Sequence, residues 1–178
     1  MNIESIKLLR GTHEDTAQTG SGCVMNLVAY LNGESVITDQ SPCVCVTVRP
    51  IAIFLNDLAN DEQRQRMLPL VMRMMGSRTD DKAEISRRLG LLVEFANWQA
   101  GLAAKYAAES AAKYAAEYAA KYAAKYAEYA AESAAEYKTV TFDRGLALLD
   151  AMLPPASEPA PEVVQRAKTL VKLNTVAA

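Results

Sequence analysis

The sequence predicts an all-α fold: a helical bundle with one long Ala/Tyr-rich helix and a linker-tethered C-terminal helix. Three observations carry this reading. Apolar residues recur at spacings of three and four through most of the chain. From Gly101 to Lys138 the residues are strong helix formers, with no breaker among them. Strand-like alternation is confined to one short run, CVCVTV at 43–48. Five segments are expected: an N-terminal helical body (1–102), the repeat helix (103–138), a short helix (139–153), a proline-rich linker (154–161) and a C-terminal helix (162–178).

Taken in order, the stretch THEDTAQTGSG is polar and loop-like. Val24, Leu27, Val28 and Leu31 then mark a helix, and Gly33 is placed to end it. CVCVTV reads as a short strand. RPIAIFLNDLAN reads as a helix buried through Ile51, Phe54, Leu55 and Leu58, with Pro50 near its first turn. Pro69 predicts a kink or a new helix start, because it removes a hydrogen bond and crowds the preceding turn. Gly76 is a plausible stop. Asp81 and Glu84 read as a capping pair. Beyond them Ile85, Leu89, Leu92 and Ala96 form one stripe, and Leu91, Phe95, Trp98 and Leu102 a second. Two neighbouring stripes predict a helix buried over a wide face.

The repeat KYAAESAAKYAAEYAAKYAAKYAEYAAESAAEYK predicts one continuous rod of about 50 Å at 1.5 Å per residue. Glu109 with Lys113 and Glu117 with Lys121 support it in the favourable order. Tyr or Ser returns every fourth residue from Tyr106 to Tyr126, so this row drifts about 40° per step and does not form a heptad seam. Scaffold or spacer is the reading that follows. KTVTFDRG then interrupts the pattern with β-branched residues, and Asp143 is placed to cap the short helix. PPASEPAP is stiff and extended, and Pro161 suits the start of the last helix.

Net charge is −2, which implies no strong field toward nucleic acid or membrane. Within the repeat every cation has an anion nearby, which again argues against a nucleic-acid track. No apolar run approaches the ~20 residues of a membrane span. Three Cys and an opening stretch without an apolar h-region point to a reducing, cytoplasmic setting.

Reactive side chains concentrate near the N-terminus. His13, Cys23, Cys43 and Cys45 match a zinc ligand set by type, although no C-x2-C pair is present; the competing reading is small buried thiols. TGSGC before a helix forms either a phosphate cradle or a plain turn; it lacks the lysine and length of a P-loop. His13, Asn26, Tyr30, Arg49, Asn56 and Asp57 are candidate ligand-binding residues, or members of an internal polar network. Catalytic residues are not assembled by any spacing in the chain. The methionines Met67, Met72, Met74 and Met75 read as core.

GCVMNLVAYLNGE, SPCVC and IAIFLNDL resemble stretches found in a group of small bacterial and phage proteins to which no activity is attached. The resemblance covers roughly residues 12–100 and implies a phage or mobile-element origin, with host cytoplasm as the setting. The function expected is a non-catalytic helical binding protein that occupies a protein partner and self-associates. The alternative is a small-ligand site in residues 13–57, for nucleotide capture or metal-dependent catalysis.

Overall fold

The computed structural model of the chain describes residues 6–11, 16–117 and 123–176, with the side chains of 110–133 and 174–176 outside the description. Among the described residues there are eight helices and no strand: α1 (Thr16–Thr19), α2 (Val24–Asn32), α3 (Val48–Leu58), α4 (Asp61–Gln65), α5 (Leu68–Met74), α6 (Lys82–Glu117), α7 (Ala123–Met152) and α8 (Pro161–Val176). An isolated parallel bridge joins Leu8 to Gly22. The fold is the all-α bundle the periodicity predicts.

Helix α2 lies at the centre. Seven of its residues are buried, from Val24 to Leu31, as befits a helix that is apolar nearly all round. It packs against α1, α3, α5 and α8. Met67 and Met74 are fully buried, and Met72 and Met75 pack at the core's edge, so the methionine cluster is core. From α8, Ala167 and Leu170 close the far side.

Local chemistry sets most helix ends. Cys23 caps α2, accepting the Asn26 N–H on its sulfur, and Gly33 ends the helix at φ 79°, a conformation that favours glycine. A capping box at Asn60 and Gln63 opens α4. Pro69 stands in the first turn of a new helix, α5, where its missing N–H is harmless. Asp81 accepts the Ala83 N–H at 2.9 Å and begins α6. Glu84 does not complete a capping box; its carboxylate is bound instead by Arg87 and Arg88.

Several sequence expectations change. Phe54, expected in the buried face of α3, is 40% exposed. CVCVTV is no strand. Val48 and Arg49 donate to the Cys45 carbonyl, so the run winds into the start of α3. Val44, Cys45 and Val48 are buried while Val46 is 70% exposed. The continuous rod is replaced by a hairpin, for α6 and α7 run antiparallel. Tyr106 meets Tyr137 edge-on at 6.0 Å, and Arg87 reaches the Ala151 carbonyl. The separate short helix at 139–153 is absent: Thr139 to Phe142 lie inside α7. Asp143 caps nothing and pairs with Arg66 at 2.6 Å. Tertiary packing overrides the weak helix propensity of these residues, since Thr141 and Phe142 are wholly buried.

Arginines take up the open carbonyls where helices end. Arg64 donates to Asn56 and Ala59 at the end of α3, at 2.9 and 2.6 Å. Arg73 donates to Asp150, Leu153 and Pro154 at the end of α7. Arg88 reaches Ser77 after α5 at 2.6 Å, and Arg166 reaches Leu31 near the end of α2 at 2.6 Å. Each places positive charge at the negative end of a helix and satisfies an acceptor that the helix leaves open.

Candidate functional site

The candidate residues divide into three places. Asn56 is the first centre. It is buried near the end of α3; its Oδ1 accepts the Val24 N–H at 3.1 Å and its Nδ2 donates to the Leu9 carbonyl at 3.0 Å. Asp57 beside it accepts the Gly11 N–H at 3.2 Å. Gln65 of α4 clasps Leu8 through both amide atoms, at 3.1 and 3.2 Å. The extended segment 6–11 is thereby stitched to α2, α3 and α4. Asn26 is buried on α2, and the Cys23 thiol donates to its Oδ1 at 2.9 Å.

These bonds bear directly on the phosphate-cradle reading. An anion at the start of α2 needs free backbone N–H groups. Val24 N–H is already held by Asn56, and Asn26 N–H by Cys23. The TGSGC stretch turns into the helix with Gly20 at φ 72°, and two of the N–H groups a cradle would use are already taken.

Arg49 forms the second centre, at the opposite end of α3. It donates to the Gln40 side chain at 2.8 Å and to the Ser41 carbonyl at 3.0 Å, pinning the connector before α3. Ser41 in turn bonds Glu34 and lies 3.1 Å from the Cys43 sulfur. Tyr30 packs half-buried against the core and joins neither centre.

The third centre surrounds Cys45. Its backbone N–H donates to the Ser77 hydroxyl at 3.1 Å, and its sulfur lies 3.1 Å from Thr47 Oγ1. Arg88 joins this group and connects it to Glu84. Burial alone would raise the Cys45 thiol, but hydrogen bonds from Thr47 and the Arg88 guanidinium hold it below its ordinary value. Burial pushes Cys23 and Cys43 up. The Glu84 carboxyl is held down at about 2, first by its bond to Arg87 and then by Arg88.

The three thiols thus serve three local networks. No group of three His, Cys, Asp or Glu suited to a metal occurs among the described residues, and His13 lies outside them. An open cleft of about 800 Å³ runs beside Asp57, Asp61, Arg64, Lys138 and Thr139. Arg64, at its wall, is tied to Asp61 at 2.6 Å and to the end of α3. The arrangement holds chain segments together, and among the described residues no nucleophile, base and orienting group converge on one point in it. Of the arginines in these networks the sequence marked Arg49; Arg64 and Arg88 escaped it, because each bonds carbonyls at the end of a preceding helix and looks like an ordinary surface charge in the sequence.

No helix among the described residues is long and apolar enough to cross a membrane. The chain matches no protein-family model, no curated protein and no solved structure.

Proposed function

We propose that the protein acts by stoichiometric binding rather than catalysis, as an accessory factor of the kind its resemblance implies, with the α6–α7 hairpin as its working element. One contrast supports the reading. In the body, Asn56, Asp57, Arg49 and Arg64 bond backbone or side chains of the protein itself. On α6, Leu89 and Val93 stand 48% and 58% exposed, and α7 is the one helix against which α6 packs extensively. Val36, Val46 and Phe54 of the body are also exposed, but Leu89 and Val93 stand one turn apart on one face of a long helix, and it is a contiguous apolar face, not a single exposed side chain, that supports an interface.

A thermal-melt screen against nucleotides and divalent metals tests the reading. The melting temperature is expected to stay constant throughout. A stabilisation of several degrees by any of them, lost on substituting Asn56 or Cys23, would move the function to the ligand site in residues 13–57.

A further inference from the structure

The outer face of α6 carries a seam that the described fold leaves uncovered. Leu89, Val93, Ala96, Ala100, Ala103 and Ala107 follow one another at steps of 4, 3, 4, 3 and 4, and all six are exposed. This is the a/d spacing of a coiled coil. Sequence periodicity predicts burial for Leu89 and Ala96, yet both are exposed; of their stripe Ile85 and Leu92 are half-buried, and in the other stripe Phe95 is buried and stacks on Trp98 at 5.7 Å.

Charge narrows what covers the seam. Between Leu89 and Ala107 the only charged residues are Glu94 and Lys105. At about 100° per residue both lie roughly opposite the seam; Glu94 borders the crevice shared with Arg144 of α7. The seam and its flanks, including Gly90, Asn97 and Gln99, are neutral. A helix for a membrane surface carries Lys and Arg along its polar face, and coiled coils selective for a different partner carry charge at the flanks. A neutral face meets its own copy without like-charge repulsion.

Shape decides the orientation. The 4-3-4-3-4 spacing reads the same from either end, so an antiparallel pair related by a two-fold axis brings all six positions into layers. Leu89 then faces Ala107 of the second copy, Val93 faces Ala103, and Ala96 faces Ala100. Leu89 and Val93 then each meet an alanine, and the two central layers, alanine on alanine, let the helices approach closely. A parallel pair would stack Leu on Leu at one end and leave only alanine at the other. Gly90 adds room for a close approach: a Cβ there would meet nothing within 4 Å. A glycine inside a helix costs up to about 1 kcal/mol, and the single chain gives it no packing role.

We infer that this face of α6 is a self-association surface, on which a second copy of the chain packs antiparallel over about 27 Å. The inference rests on the binding reading above and names its partner. Analytical ultracentrifugation from ~1 to ~100 μM should show a monomer–dimer equilibrium. Val93→Glu should raise the dissociation constant at least ~10-fold while leaving helicity and melting of the monomer intact, and the milder Leu89→Ala should weaken it without changing the fold. Mixed Leu89→Cys and Ala107→Cys chains should cross-link to each other, and Leu89→Cys chains should not cross-link among themselves. A protein that stays monomeric throughout, or a dimer indifferent to Val93→Glu, overturns the inference. Cross-linking of Leu89→Cys to itself alone overturns the antiparallel arrangement. Monomeric behaviour with an unresponsive ligand screen would sink this inference and leave the binding reading standing; a ligand-stabilised dimer would do the reverse.

Discussion

The body and the hairpin use opposite means to hold helices together. In the body, specificity comes from single side chains that each serve several backbone groups: Asn56 binds Val24 and Leu9, and Arg64 binds Asn56 and Ala59. In the hairpin, the long arms share one repeating composition, and individual contacts are modest. Lys105 and Glu109 approach at 3.7 Å and are both well exposed, and Tyr106 rests against Tyr137 with its phenol raised by partial burial and the neighbouring Glu136. The two parts meet at a defined joint. Gly145 lets α7 lie directly on Leu55 of α3, Arg66 pairs with Asp143 of α7 at 2.6 Å, and Arg88 binds α6 to the end of α5. A small protein can therefore have one region where nearly every polar atom has an assigned partner and another where repetition does the same task.

The sharpest way to break this contrast is at Asn56. Asn56→Ala leaves a buried N–H and a buried carbonyl unpaired, and should destabilise the protein by about 2–4 kcal/mol in urea denaturation. A loss below about 0.5 kcal/mol would mean that segment 6–11 is held by burial alone.

Glycine substitutions should separate the regions by sign. Gly145→Ala places a Cβ in overlap with Leu55 and should destabilise by about 1–3 kcal/mol through overpacking. Gly101→Ala meets nothing within 4 Å and should stabilise by about 0.5–1 kcal/mol through helix propensity. Paired thermal melts check both, and a destabilising Gly101→Ala would reveal a neighbour at that face.

The smallest effect is pH-dependent. The Glu84 carboxyl is lowered in the folded state, from 4.5 to about 2. Its contribution is complete above the unfolded value and is lost as pH falls from about 4.5 toward 2. Glu84→Gln should flatten this part of the acid melting profile: its cost is present in full at neutral pH, small because the carboxylate is partly exposed and screened, and it vanishes toward pH ~2.

Much of the architecture was legible in residues whose covalent structure restricts the backbone. Gly33, Pro69 and Pro161 each mark a helix end in the folded protein. The hairpin was not legible, because the Ala/Tyr pattern runs unchanged from one arm into the other and provides no local punctuation for a reversal. KTVTF misled for a related reason: its β-branched residues weaken a helix by only tenths of a kcal/mol each, less than burying Phe142 returns. Of the site, the sequence marked Asn26, Arg49, Asn56 and Asp57 as polar residues in apolar helices. Asn56 and Asp57 bond backbone atoms of distant segments, Val24, Leu9 and Gly11, which no spacing rule can identify, whereas Asn26 and Arg49 find their partners nearby in sequence, at Cys23 and at Gln40 and Ser41. CVCVTV showed true alternation, but with no neighbouring strand to pair with it the backbone satisfied itself by turning into α3.

The contacts of α8 also imply an order of events during synthesis. Arg166 closes on Leu31 across 135 positions, and α8 packs on α1 and α2 with Ala167 and Leu170 buried in the core. The hairpin joins neighbours in sequence and can form as soon as its second arm leaves the ribosome, whereas the central helix waits for residues made near the end. At 5–20 residues per second, the stretch from α2 to α8 takes on the order of 10 s to emerge. For that interval the Leu31 carbonyl and the face of α2 that meets α8 lack their final partner, which makes a nascent chain halted before Pro161 a species in need of a chaperone.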